Sequence, residues 1–175
     1  MEFVAIDFLS PIETIIQKML PLCQEVTHAY YTSYVHTDDF DRLRDLNVPL
    51  FQNFLTAIDT VAGSSLQRVC LQTGGKVRDL ESLYHHILIV MLTRLLQHYG
   101  CHLGPTECPL HEDMQRYDDD GLNFYYPQED FLFKLHAERN WSWNVIRPNA
   151  IIGFTPGSKC EIHGSLPHDQ TDRRC

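Results

Sequence analysis

Two short stretches hold residue types that could do chemistry. Asn123–Asp130 reads N-F-Y-Y-P-Q-E-D and sets two tyrosines, two amides and two carboxylates ahead of an apolar-periodic segment. Leu71–Lys76 reads L-Q-T-G-G-K and places a lysine just past what reads as a buried strand. A phenol near an ammonium can donate to, and neutralise, charge that develops on a carbonyl oxygen. Each residue also has a plainer reading. Tyr125 can be a half-buried aromatic with its hydroxyl in water, and Lys76 an ordinary solvated lysine at a turn. Glu129 and Asp130 read as carboxylates serving the start of the following helix, where they suit the dipole. Paired acid–base work by these two is the alternative. A softer cluster, Cys101, His102, Cys108 and His111, offers metal-ligand types, but its spacing matches no common zinc pattern. No metal is expected. The six cysteines are scattered without a C-x-x-C and read as free thiols in a reducing compartment.

The elements that must position these residues follow from periodicity. Phe3–Phe8 alternates and predicts a short strand ending near Asp7. Ser10-Pro11 suits a helix start, with apolar residues at helical spacing up to Pro21. Val26–Tyr34 is rich in β-branched and aromatic residues and predicts a strand. Residues 38–62 carry the clearest apolar stripe, with Pro49 predicting a kink or break inside it. Residues 65–71 predict the next strand and residues 77–97 an amphipathic helix. Residues 99–120 read as a long loop, 129–139 as a helix, 143–147 as a strand and 148–157 as a loop. Strand alternating with helix in this order is α/β with a parallel sheet, whose ligands sit at the carboxyl ends of the strands. Lys76 lies past one such end and the loop at Pro148 past another.

Composition sets outer bounds. At 175 residues with 43% apolar content the chain can bury one core, and no repeat or second domain is visible. A net charge of −9 argues against nucleic acid, whose phosphates call for clustered Lys and Arg. The start M-E-F-V-A-I-D-F has no basic region before its apolar run. The longest such run, residues 87–92, is too short to span a bilayer. A cytoplasmic protein without a membrane segment is expected.

Several stretches in a fixed order resemble the PRISE branch of the short-chain dehydrogenase/reductases (progesterone 5β-reductase/iridoid synthase-like), in the style of fungal members. They are D-F-L-S-P, V-T-H-A-Y-Y-T-S-Y, C-L-Q-T-G-G-K, N-F-Y-Y-P-Q-E-D and W-S-W-N-V-I-R-P-N-A-I-I-G-F-T-P. The resemblance covers most of residues 3–76 and 98–158. It implies a Rossmann-type sheet and an NADPH-dependent reduction of a small molecule, a C=C bond of an enone or a carbonyl, with secondary metabolism as a setting. By position, Tyr125 would be the catalytic tyrosine and Lys76 its partner. Asp7 and Phe8 would flank the adenine. Ser33, Tyr34 and Gln72 would border the nicotinamide, and Ile151 and Ser158 would close over it.

The sequence also departs from that pattern. The family's Gly-rich turn, G-x-T-G-x-x-G, cradles a pyrophosphate on backbone N–H groups, and it occurs nowhere in the 175 residues. The expected fold is therefore a partial Rossmann-type domain over residues 1–158 that lacks the first βαβ unit and is truncated at both ends. Residues 77–97 have no family counterpart. They are compatible with a lineage-specific helix or, as we prefer, a translated intron, since Val77-Arg78 and Gln97 can be encoded by splice-like codons. Residues 159–175 read as a divergent, disordered tail. Such a chain is expected to bind NADPH weakly or not at all, and its exposed sheet edge invites self-association or a partner. A non-catalytic α/β remnant or interaction module is the alternative to a reductase.

Overall fold

A computed structural model describes residues 2–37, 39–74, 112, 115–116 and 123–148. Within these, helix α1 spans Ile12–Cys23, strand β1 His28–Tyr31, helix α2 Phe40–Ala62, strand β2 Arg68–Gln72, helix α3 Tyr125–His136 and strand β3 Ser142–Ile146. The three strands form a parallel sheet in the order β1-β2-β3. Parallel neighbours need a crossover between them, and α2 supplies the one from β1 to β2.

Strand period 2 divides the sheet into two faces. Ala29 and Tyr31 of β1 and Val69 and Leu71 of β2 point into the core, where they meet Ile15 and Met19 of α1 and Phe51, Leu55 and Ile58 of α2. Leu132 of α3 and Trp141 join the same cluster. The other face carries His28, Tyr30, Arg68, Ser142 and Asn144, all exposed. There Arg68 donates from Nε to Ser142 Oγ at 3.1 Å and from Nη1 to Asn144 Oδ1 at 3.3 Å, a polar tie across two strands.

Several expectations need correction. Phe3–Phe8 is not a strand. Phe3 is exposed, and the chain turns at Asp7, whose Oδ1 accepts from the Leu9 N–H at 2.9 Å and whose carbonyl accepts from Ser10 N at 3.1 Å. Among the described residues no strand lies beside this segment to pair with it. Helix α1 is capped at Pro11 rather than Ser10, and it runs past Pro21 to Cys23. One missing N–H in a last turn is too small a loss to stop a helix anchored by buried Ile15 and Met19. Helix α2 likewise continues through Pro49, with Leu43 on one side and Leu50 and Phe51 on the other buried in the protein. β1 is only four residues long and β2 begins later than expected, after a 3₁₀ turn at Gly63–Ser65.

The correction that matters most is at α3. It begins at Tyr125, four residues before the expected Glu129. Asn123 makes this start: its Oδ1 accepts from the Tyr125 N–H at 3.1 Å and its carbonyl from Tyr126 N at 3.2 Å. Pro127 falls in the first turn, where its missing N–H costs nothing. The predicted helix at 77–97 and nearly all of the loop at 99–120 lie outside the described residues, as does the tail. Cys23 and Cys70 are free thiols; the other cysteines, with His102 and His111, also lie outside. No described helix is long and apolar enough to cross a membrane.

Candidate active site at the carboxyl edge of the sheet

Because Tyr125 opens α3, its side chain projects from the helix start toward the turn that follows β2. A Cβ placed on Gly74 would lie 3.4 Å from the Tyr125 hydroxyl. The hydroxyl therefore rests against bare backbone, and any side chain at 74 would take up space beside it. The ring packs at 4.3 Å between centroids against Phe124, which in turn stacks on Tyr34 at 6.0 Å. Burial pushes the Tyr125 pKa up to about 12. A phenol in that state is protonated at neutral pH and acts as a hydrogen-bond donor.

The turn is fixed from both sides. Thr73 is buried, and both its N–H (2.9 Å) and its Oγ1 (3.2 Å) donate to the Ile146 carbonyl at the end of β3. Gln72, half-buried, is the last residue of β2 and sits opposite Ile146. Ser33 and Tyr34 lie exposed just beyond β1, with the Tyr34 hydroxyl 3.3 Å from His36 Nδ1. Phe8 is half-buried, edge-on to Phe54 at 5.4 Å, and its carbonyl accepts from Asn53 Nδ2 at 2.8 Å. Asp7 is held in its own turn beside it. Tyr125, Gln72 and Tyr34 thus gather at one edge, and Phe8, next to Asp7, is pinned to α2. Lys76, Ile151 and Ser158 lie outside the described residues.

Glu129 and Asp130 do not serve the helix start. They are the fifth and sixth residues of α3. Glu129 is 1% exposed and accepts from Arg147 Nη2 at 3.1 Å and from Arg116 Nη2 at 3.1 Å. Asp130 takes the other end of the Arg116 guanidinium, which also lies 5.0 Å from the Tyr126 ring. Hydrogen bonds and charge from both carboxylates outweigh desolvation and raise the Arg116 pKa. Glu129 lies one helical turn beyond Tyr125, so this clamp ties the tyrosine's own helix face to the end of β3.

A second tie was not visible in the sequence. Gln128 donates from Nε2 to the Asn47 carbonyl at 2.7 Å. The Asn47 side chain accepts from Val35 N at 2.8 Å and donates to Val35 O at 2.9 Å and Leu43 O at 2.9 Å. Asn47 therefore joins the segment after β1, α2 and α3. A signal for it existed: an asparagine sits within the apolar stripe of α2, four residues after Leu43 and four before Phe51, where an apolar residue would be expected.

A parallel sheet with crossover helices and a tyrosine at its carboxyl edge agrees with what comparison finds. Residues 4–165 match a family model described as PRISE-like Rossmann-fold domain. The chain belongs to this family. It is 39% identical over 152 residues to a short chain dehydrogenase, gsfE, of Penicillium aethiopicum, covering 87% of this chain and 34% of that protein. It is 32% identical over 165 residues to an (S)-8-oxocitronellyl enol synthase of Catharanthus roseus (94% and 36%). It is 33% identical over 158 residues to a 3-oxo-Delta(4,5)-steroid 5-beta-reductase of Arabidopsis thaliana (85% and 34%). The chain thus spans about a third of the length of these relatives. Family membership makes the fold a Rossmann one.

Proposed function

We propose that this chain carries the catalytic edge of an NADPH-dependent reductase that reduces an enone C=C bond or a carbonyl of a small molecule. The observation that carries the reading is the hydroxyl of the half-buried Tyr125, set against the backbone at Gly74, with burial raising its pKa to about 12. Reductions of this kind build negative charge on the substrate's carbonyl oxygen. A fixed neutral phenol in a site of low polarity donates to that oxygen, with an interaction stronger in the transition state than in the ground state. Lys76, two residues past Gly74 in sequence, would add a positive charge to the same oxygen.

The carboxyl edge would hold a nicotinamide group. Gly74 leaves room beside the tyrosine, and Ser33 and Tyr34 are open to solvent there. Bound NADPH would supply hydride. Ser33, Tyr34 and Gln72 would border the nicotinamide with Ile151 and Ser158, while Asp7 and Phe8 would flank the adenine. The substrate names of the relatives, and the setting of secondary metabolism, come to this chain only as a class: a small molecule with a conjugated or isolated carbonyl.

The test is NADPH oxidation with small enones. Tyr125→Phe should lower the rate about 10²–10³-fold, the usual loss on removing an oxyanion donor. An unchanged rate in the variant rules the reading out.

For these 175 residues taken alone, which hold no Gly-rich pyrophosphate turn, the second reading is a non-catalytic α/β module. Without those backbone donors, NADPH should bind weakly, and calorimetry on the whole chain that gives a tight complex would remove this reading. β1 is an edge of the described sheet with Tyr30 67% exposed, which supports self-association there. A monomer in sedimentation at high concentration would exclude it.

A further inference from the structure

The buried side chains of α3 are of two kinds. Leu132 joins the apolar core, whereas Gln128 is polar and only 2% exposed. A methionine would fill much the same space without taking an amide out of water, which is costly unless its hydrogen bonds are remade. The amide is used directionally: Gln128 Nε2 donates to the main-chain carbonyl of Asn47, in α2, at 2.7 Å. That carbonyl belongs to a fixed residue. The buried Asn47 side chain is itself held by hydrogen bonds to Val35 N at 2.8 Å and to the Val35 and Leu43 carbonyls at 2.9 Å. Gln128 lies three residues after Tyr125 and Glu129 four, so the three share one face of α3. The two ties pull on different elements, Gln128 on α2 and Glu129 on Arg147 just past β3. One tie leaves a helix free to turn about it; two in different directions fix its angle. Side-chain tips lie about 5–6 Å from a helix axis, so a turn of about 10° carries a hydroxyl about 1 Å, enough to spoil an oriented interaction.

We infer that Gln128 is a positioning residue: its hydrogen bond to the Asn47 carbonyl sets the angle of α3, and with it the place beside Gly74 where the Tyr125 hydroxyl meets a ligand oxygen. Gln128 acts through the helix rather than on the ligand. Its bond is already made in the free protein, so the hydroxyl is oriented before a ligand arrives and no reorganisation is needed when charge develops. The inference rests on the reading of Tyr125 as an oxyanion donor.

The test uses the whole chain and two readouts. In the free protein, Gln128→Met should shift the ¹³Cζ resonance of Tyr125 and the amide resonance of Gly74 while moving the melting temperature little. Ile15→Val, a core change in α1, should shift neither. The second readout is binding of 4-nitrophenolate, which presents an anionic oxygen and changes its visible absorbance when bound. Tyr125→Phe should weaken it about a hundredfold and Gln128→Met about tenfold. Added to Tyr125→Phe, Gln128→Met should cost nothing further, because its effect passes through the missing hydroxyl; a merely structural role would cost the same in both backgrounds. Gln128→Asn keeps the amide but is one methylene too short for the bond, so it should match Gln128→Met and carries the test if the methionine variant does not fold. An unshifted Tyr125 resonance, wild-type affinity, an equal loss in both backgrounds, or the failure of both variants to fold overturns the inference and leaves Tyr125 standing. Undiminished binding by Tyr125→Phe, or no binding by wild type, overturns the reading of Tyr125 instead, and the role of Gln128 with it.

Discussion

Two regions of this protein are held together by different physics. Between the sheet and α1 and α2, the interior is apolar: Ile15, Phe51, Leu55, Val69 and Leu71 are all fully buried. Around α3, at the carboxyl edge, the buried side chains include Asn47, Asn123, Gln128 and Glu129. The first region is stabilised by area removed from water, which is indifferent to direction and tolerates swaps of similar volume. The second depends on matched donors and acceptors at 2.7–3.1 Å, such as Gln128 to Asn47 and Arg147 to Glu129. A directional network fixes orientation better than an apolar contact does. The helix that carries Tyr125 is the element whose orientation decides where a hydroxyl points.

The largest effect should come from the apolar side. Phe51→Ala should cost about 3–5 kcal/mol, the usual range for emptying a buried aromatic site, read as a lower urea midpoint. It should leave the Tyr125 environment unchanged in whatever fraction stays folded. Glu129→Ala should cost less, about 2–3 kcal/mol. That is below the range for fully buried pairs because Arg116 and Arg147 are partly in water, at 36% and 23% side-chain exposure. It should nevertheless shift the Tyr125 ¹³Cζ resonance, which Phe51→Ala does not. Equal disturbance of Tyr125 by both variants would erase the contrast between the regions.

A smaller, pH-dependent effect should appear where the regions meet. Tyr125 ordinarily has a pKa of 10, and burial raises it to about 12 in the folded protein. The unfolded chain therefore loses its phenol protons first. The stability this tyrosine contributes is complete below pH 10 and is lost as pH rises through about 12. Tyr31, with its pKa also raised, adds to the same trend. Urea unfolding at pH 9 and pH 11 should show the loss, and Tyr125→Phe should reduce it. An identical pH slope in the variant would mean that Tyr125 is not buried as described.

The periodic elements were legible because apolar periodicity is a local property. The stripe of residues 38–62 gives α2, and β-branched runs give β1 and β2. The misreadings share one cause. Alternation in Phe3–Phe8 satisfies a strand pattern, but a strand exists only when another strand pairs with it. Pro21 and Pro49 are breakers by propensity, yet packing on both sides outweighs one lost hydrogen bond. Glu129 and Asp130 looked like helix-start acids because the start was placed at them; Asn123 begins the helix earlier and carries Glu129 inward to two arginines far away in sequence.

By itself the sequence determined the α/β class and the parallel arrangement of the strands, and it set a tyrosine in N-F-Y-Y-P-Q-E-D and a glycine in the turn after β2. These follow from spacing along the chain, which fixes which residues share a face. Only the tertiary structure decided that the Tyr125 hydroxyl meets Gly74, that Asn47 reaches Val35 and Gln128, that Glu129 is clamped by Arg116 and Arg147, and that the Tyr31 ring is buried against Phe51 and Phe54. Each of these joins segments brought together by burial of the core. Hydrogen bonds and ion pairs act over about 3 Å, so no spacing in the sequence announces them until the chain is packed.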